Sequence, residues 1–428
     1  MAKTGTGATG VEKEEREEIE KKVIPKCFIQ FRPHENYDGE FGFDWMRMGD
    51  TTKPKGDNWF GKIMGKYYNA DNTTVFQNSN SWNNNFIKDM SMYDRKLKSY
   101  NVFPSTWKKY NGKPYLYPIP TLTLLKGKKA KFDLKVEIEE LPNELTLEFK
   151  DTGASKFLAL NKNKISNIKK GKYTLPNEIE ITCNEEFDAV QMLEIKADGK
   201  RCGSMRIHPN TDRFKKKINV VVICVDTDIN GTTIKGKPIS GGMVFFENCL
   251  KQALVIPNIV NEKEDLDCTS SLLGLITTFR DKFCSRNVAT KEYFLDANKT
   301  GGLRTYLEDR FKSQFGDKYK KMFKSEKYYK LFFIGNETNY NGFSYLDSDF
   351  AVYFNGHNRG TLSHETFHAL NLPHTFSGLT SENAKYTYQA GQTNNIMDYS
   401  HQSQFGSIDR KFLFLWQWKL LNTNIIEK

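Results

Sequence analysis

Residues 363–376 read SHETFHALNLPHTF, and this stretch holds three of the chain's seven histidines. His364 and His368 stand four positions apart. On an α-helix that spacing puts both imidazoles on one face, close enough to share one metal ion. His374 lies six positions further on. A helix running through residue 374 would carry that side chain away along its axis, so a third ligand requires the chain to stop and turn back. Asn371 supplies the break, because asparagine tolerates the left-handed cap conformation better than other non-glycine residues. Pro373 then prevents the helix from resuming. The stretch therefore predicts a helix with two ligands, a sharp turn and a third ligand. A catalytic zinc ion takes three protein ligands and keeps a fourth position open for water. Glu365 sits beside that position without being needed as a ligand.

By composition alone, HExxH arises by chance in about one such chain in a hundred, and with the third histidine in roughly one in ten thousand. A surface helix with incidental histidines is therefore the poorer reading. A second element agrees. NNIMDYS, residues 394–400, follows the third histidine by about twenty positions and places Met397 two residues before Tyr399. Met397 by itself would read as ordinary core packing.

Together the long histidine motif and the methionine segment resemble the metzincin metalloproteases, whose pattern is HExxHxxGxxH followed by a methionine-containing Met-turn. HTF after the third histidine and IMDYS in the turn resemble the pappalysin-like group of that clan. The resemblance covers about 60 residues. It implies that His364, His368 and His374 hold one catalytic zinc ion, and that Glu365 is the general base and later the proton donor. It implies that Met397 forms a hydrophobic floor, and that Tyr399 reaches toward the metal or the oxyanion. DFAVYFNG, just before the helix, would be the edge strand on which an extended peptide pairs. Two features depart from the pattern: Asn371 stands where glycine is usual, and no cysteine follows Cys284.

A chain of 428 residues is too long for one ordinary core, so several domains are expected. Residues 1–25 read as a charged, flexible tail. Residues 26–115 read as a small β-rich module, in which Phe41, Phe43 and Trp45 alternate toward one face. Over 116–212 the alternation is clear at Phe132, Leu134, Val136 and Ile138, at Ile179, Ile181 and Cys183, and at Leu193 and Ile195. Turn residues punctuate these runs, and the spacing predicts an immunoglobulin-like β-sandwich. From 213 to 428 the pattern becomes mixed. Val220–Val225 form a continuous apolar strand buried on both faces. Met243, Phe246, Leu250, Ala253 and Leu254 follow a helical stripe, further helices are expected over 270–283 and 302–324, and YKLFFIG and FAVYFN read as strands. SIDRKFLFLWQWKLL, 407–421, reads as an amphipathic terminal helix capped by Ser407. The expected whole is multidomain: a β-rich module, a sandwich and an α+β metzincin-like protease domain.

The chain's hydrophobic content of 38% suffices for these cores. The opening residues contain no apolar core of a signal peptide, and no apolar run reaches the length of a membrane span. Synthesis in the cytoplasm is expected, with any export by a signal-independent route. Seven scattered cysteines argue against both a disulfide framework and a cysteine zinc site. The net charge of +11 is spread over short lysine clusters without a nucleic-acid-binding motif, so nucleic acid is not the expected partner. His34, His208, His357 and His401 read as surface or hydrogen-bonded residues, with His401 placed to line a cleft. FRPHENYDGEFGFDWMRMGD resembles the amino-terminal segment of bacterial proteins associated with type VI secretion. That resemblance implies an exported effector or toxin acting on a protein or peptide substrate, with the secretion machinery as a partner. The alternative is a non-enzymatic scaffold or binding protein with a vestigial protease domain.

Overall fold

Alternating apolar residues on a strand leave one face that only a second layer can cover. Phe132, Leu134, Val136 and Ile138 are all buried on the strand Lys129–Ile138. A computed structural model describes residues 25–49, 56–68, 85–110, 112–261, 265–269, 278–376 and 384–427. In it this strand pairs antiparallel with Gly171–Cys183 on one side and Cys27–Pro33 on the other. Leu158–Leu160 completes that sheet. A second sheet runs Gly42–Asp44, Thr121–Thr123, Lys200–Ile207, Gln191–Ala197, Leu145–Phe149. Their inner faces meet in one core that includes Phe31, Phe132, Leu193, Ile195 and Met205.

This two-sheet sandwich takes in more of the chain than the expected 116–212. Cys27–Pro33 and Gly42–Asp44 belong to its sheets, so the boundary expected at residue 115 does not separate them from it. The reason is physical. Phe41, Phe43 and Trp45 all turn into the sandwich core, and a short strand cannot bury that face alone. The flexible tail expected over 1–25 lies outside the described residues, apart from Pro25.

The carboxy-terminal domain is built on the strand Lys216–Asp228. It runs parallel to Val255–Asn261 and to Tyr328–Glu337, and the latter is parallel to Phe350–Asn355. Thr233–Lys235 and Gly342–Ser344 add antiparallel strands at the two ends of the order. The continuous apolar run is explained by helices on both faces. Val220 and Val222 pack with Phe246, Leu250, Leu362 and Phe367. Val221 and Ile223 pack on the opposite face with Leu307 and Phe311. The helices on the first face are Gly242–Lys251, Arg359–Ala369 and Leu415–Leu421; Leu303–Tyr319 and Phe279–Phe283 cover the second. Of the helix expected over 270–283, residues 270–277 fall outside the described residues.

The expected terminal helix is shorter than 407–421. It begins at Leu415, where the Gln417 side chain accepts from Phe414 N at 2.8 Å. Ser407 has φ of +54° and caps nothing. Ile408, Arg410 and Phe412 are buried while Asp409 is exposed and Lys411 only partly covered, so residues 408–412 alternate as an extended segment does.

The front of the chain also grips the carboxy-terminal domain. Asp44, Arg47 and Lys96 are buried together at the seam, with Arg47 Nη1 2.9 Å from Asp44 Oδ1 and its guanidinium 3.5 Å over the Trp45 ring. Tyr100 donates to Asp44 Oδ2 at 2.7 Å. Phe412 and Phe414 of the carboxy-terminal segment stack against the same guanidinium. Nearby, Asn58 Nδ2 donates to Gln392 O at 2.7 Å, Gln389 N donates to Ile63 O at 2.7 Å, and Ala390 N donates to the Tyr67 hydroxyl at 2.6 Å. The segment 56–68 thus holds the loop 387–393.

His208 closes a second long-range contact. Its Nδ1 donates to Pro209 O at 2.7 Å, and its Nε2 accepts from Ile426 N at 2.8 Å. The pair of bonds demands a neutral ring, and burial pushes its pKa down to about 4. The unfolded chain takes up this proton near pH 6.5 while the native one does not. The neutral ring's stabilising contribution is therefore intact above pH 6.5 and lost as pH falls toward 4, about 3 kcal/mol in sum. In His208→Gln, the fall of unfolding free energy with acidity should become shallower by about 1.4 kcal/mol per pH unit within that window. Urea titrations of both proteins at stepped pH measure the difference.

Candidate metal centre

The helix Arg359–Ala369 starts at Asn358, whose side chain accepts from Thr361 N at 2.9 Å. It ends in the expected reversal. Asn371 takes φ of +68°. Leu372 N donates back to Phe367 O and Asn371 N to His368 O, both at 2.8 Å. Phe367 and Leu372 are fully buried in the same core. This is a Schellman closure with its apolar clasp, and it turns residues 372–374 back beside the helix.

The reversal brings the three imidazoles together. His364 Nε2 lies 3.1 Å from His374 Nε2 and 3.2 Å from His368 Nε2, and the His368 and His374 Nε2 atoms are 3.0 Å apart. The opposite ring nitrogens are tied to backbone carbonyls: His364 Nδ1 to Ile396 O and His368 Nδ1 to Leu372 O, each at 2.8 Å. A carbonyl can only accept, so Nδ1 carries the proton and each Nε2 keeps its lone pair. Burial pushes all three rings below the usual imidazole range, His368 to about 4. Two Nε2 lone pairs fixed in this way, with the Nε2 of a neutral His374 beside them, form a site that could hold a metal ion.

Tyr399 and Phe376 flank the cluster. Phe376 stacks on His374 with ring centroids 4.8 Å apart, and the Tyr399 ring is 4.8 Å from that of His374 and 5.6 Å from that of His364. Met397 is fully buried in the core that holds Phe367 and Leu372. Its carbonyl accepts from Thr375 N at 3.1 Å, which binds the methionine segment to the residue after His374. Glu365 lies in the same helix turn as His364 and lines a cavity of about 330 Å³ with His364, Tyr399, His401 and Arg410. Burial pushes its carboxyl up to about 7, against the pull of the Arg410 charge and a hydrogen bond from the Ser344 backbone.

Two buried residues escaped the sequence reading. Asp398 accepts from Gly391 N, Thr393 N, Thr393 Oγ1 and Tyr399 N at 2.6–2.9 Å, and so ties the methionine segment into a closed loop. An acid directly after Met397, in a segment rich in asparagine, is the only local signal of it. Arg410 Nη1 donates to Asp398 O at 2.8 Å and to Ile396 O at 3.1 Å. It braces the carbonyl that orients His364. It was hidden in the stretch read as a helix.

The expected edge strand needs correcting. Phe350–Asn355 is an inner strand, paired on both sides. The outer strand is Gly342–Ser344, and a Cβ added at Gly342 would stand 3.3 Å from Glu365 Cγ. It is only three residues long, too short for a periodic pattern to mark it. Of the remaining histidines, His34 pairs with Glu40 at 2.9 Å, His357 Nε2 accepts from Ile239 N, and His401 lines the cavity beside Glu365. No family model matches the chain, and no curated protein matches it by sequence.

Two substitutions test the turn. Asn371→Gly relieves the positive φ and should preserve metal affinity with equal or slightly higher stability. Asn371→Val should cost about 2 kcal/mol and displace the third ligand, lowering metal affinity about tenfold or more. Thermal unfolding and chelator competition report the two effects.

Proposed function

We propose that the protein is a zinc-dependent endopeptidase. The observation that carries this reading is the convergence of three imidazole Nε2 atoms 3.0–3.2 Å apart, with Glu365 on the next position of the same helix. The donor set fits the ion. Tetrahedral ligation at zinc–nitrogen distances near 2.0–2.1 Å spaces the nitrogens about 3.3 Å apart. Imidazole ligands without thiolate suit zinc among the first-row metals, and the carbonyl bonds at Nδ1 fix the ring orientation.

A bound ion supplies a Lewis acid that polarises a carbonyl and makes water acidic enough to ionise near neutrality. The chain's own residues do the rest. His364, His368 and His374 leave one side of the site open to the cavity. Glu365 accepts a proton from the attacking water on a carboxylate oxygen and passes it to the leaving amine. Burial raises its carboxyl above the usual carboxylate range, which favours its return of the proton. Tyr399, whose ring lies beside those of His364 and His374, hydrogen-bonds the oxyanion through its phenol. An extended peptide pairs with the outer edge of Gly342–Ser344, which holds its backbone across Glu365. The exported-effector reading rests on the resemblance of residues 31–50 to secretion-associated proteins; Phe41, Phe43 and Trp45 of that stretch serve as sandwich core.

The test is zinc content and casein cleavage for the wild type and Glu365→Ala. Both should carry one zinc per chain. Cleavage should fall by about a thousandfold or more in the variant. Chelation should abolish activity and added zinc restore it. Equal cleavage by both proteins would remove Glu365 from the mechanism, and a purified wild type free of zinc would favour the scaffold reading.

A further inference from the structure

Arg410 is 4% exposed, yet it has no carboxylate within ion-pair distance among the described residues. The acids nearest to it in the chain are committed elsewhere. Both Asp398 oxygens are taken by backbone N–H groups and by Thr393. Asp409 turns to Arg359 and Lys411, each at 3.2 Å. Arg410 Nη1 is occupied by the carbonyls of Ile396 and Asp398. Nη2 and Nε make no hydrogen bond among the described residues. Asp398 and Glu365 act on the guanidinium only through space, and its two unbonded nitrogens stay open to a ligand, so an incoming anion can add the direct contact that these carboxylates do not make.

The surroundings leave room for that anion. Arg410 lies between two adjoining cavities: one also contains Glu365, His364, His401 and Gln402, and the other, of about 310 Å³, contains Asn358, Gly360, His401 and Asp409. Gly360 lets the guanidinium lie flat against the active-site helix, since a Cβ there would come within 3.0 Å of Nη2. His401 adds a buried Nδ1 that has no hydrogen-bond partner among the described residues. The free nitrogens of Arg410 form the planar fork that matches a carboxylate.

We propose that this cavity binds a carboxylate of the substrate, with Arg410 as the specificity-determining residue. The protein then selects peptides with an acidic group next to the bond that is cut; this rests on the peptidase reading above. The carboxylate comes from an aspartate or glutamate side chain; a terminal carboxyl in its place would make the protein a carboxypeptidase instead of an endopeptidase.

Matched peptides differing only in Asp against Asn, or Glu against Gln, beside the cleaved bond test the proposal, each made with a free and an amidated carboxy terminus. The acidic member of each pair should have the higher kcat/KM by about tenfold or more. Preference that follows the side chain identifies the internal source, and preference lost on amidation identifies the terminal one. In Arg410→Gln the pairs should differ by less than about twofold. Because Arg410 also braces two carbonyls, zinc content is measured alongside. Gln402→Glu provides a second variant that leaves that brace intact and should reduce the acidic preference by adding a second carboxylate to the one Glu365 already places in the cavity. The same pairs are titrated by fluorescence anisotropy against Glu365→Gln, which separates binding from cleavage. Cleavage without acidic preference, or a preference unchanged in both cavity variants, overturns the proposal while the peptidase reading stands. Binding that prefers acid through Arg410 but no cleavage of any peptide leaves the carboxylate site and removes the peptidase reading.

Discussion

One carbonyl oxygen, that of Ile396, coordinates the geometry of the whole centre. It accepts from His364 Nδ1 and from Arg410 Nη1. The first bond chooses the tautomer of His364 and so points a lone pair at its two neighbours. The second ties the same peptide to a strand-like segment that lies against the helix. Ile396 N in turn donates to Phe412 O at 2.9 Å. Movement of this peptide would therefore disturb a ring orientation, a buried cation and a backbone pairing together. Outer-shell partners of this kind make an imidazole site directional rather than merely nitrogen-rich.

The front half of the chain contributes to this rigidity. The loop 387–393 leads into the methionine segment, and its backbone is held by Asn58, Ile63, Gly65 and Tyr67. Behind those contacts, Asp44 lies between Arg47 and Lys96 without access to water. A buried carboxylate between two cations adds little net stability over an apolar seam, but removing any member would leave charge uncompensated. The arrangement specifies one relative placement of sandwich and carboxy-terminal domain.

What could be read in advance was local. The helix, its stop at Asn371 and the return of His374 follow from the conformational preferences of adjacent residues, and the reversal has the predicted left-handed φ. Strands with four alternating apolar residues, such as Lys129–Ile138, were equally legible. What could not be read depended on partners far along the chain. Ile29 pairs with Val136, so the first strand joined a sandwich that the sequence pattern placed ninety residues later. Gly342–Ser344 is too short to show a period. Ile408, Arg410 and Phe412 alternate, but the apolar run after them invited a helical reading. Asp398 and Arg410 matter through hydrogen bonds to residues whose proximity only the fold creates.

The grip of Asn58 on Gln392 spans 334 positions. During vectorial synthesis the first partner leaves the ribosome long before the second has been translated. The sandwich and much of the sheet have time to form while the loop's other half does not exist. The histidine cluster and the loop behind it are completed only when nearly the entire polypeptide has emerged. A nascent or prematurely terminated chain accordingly lacks the assembled histidine cluster and the loop that supports it.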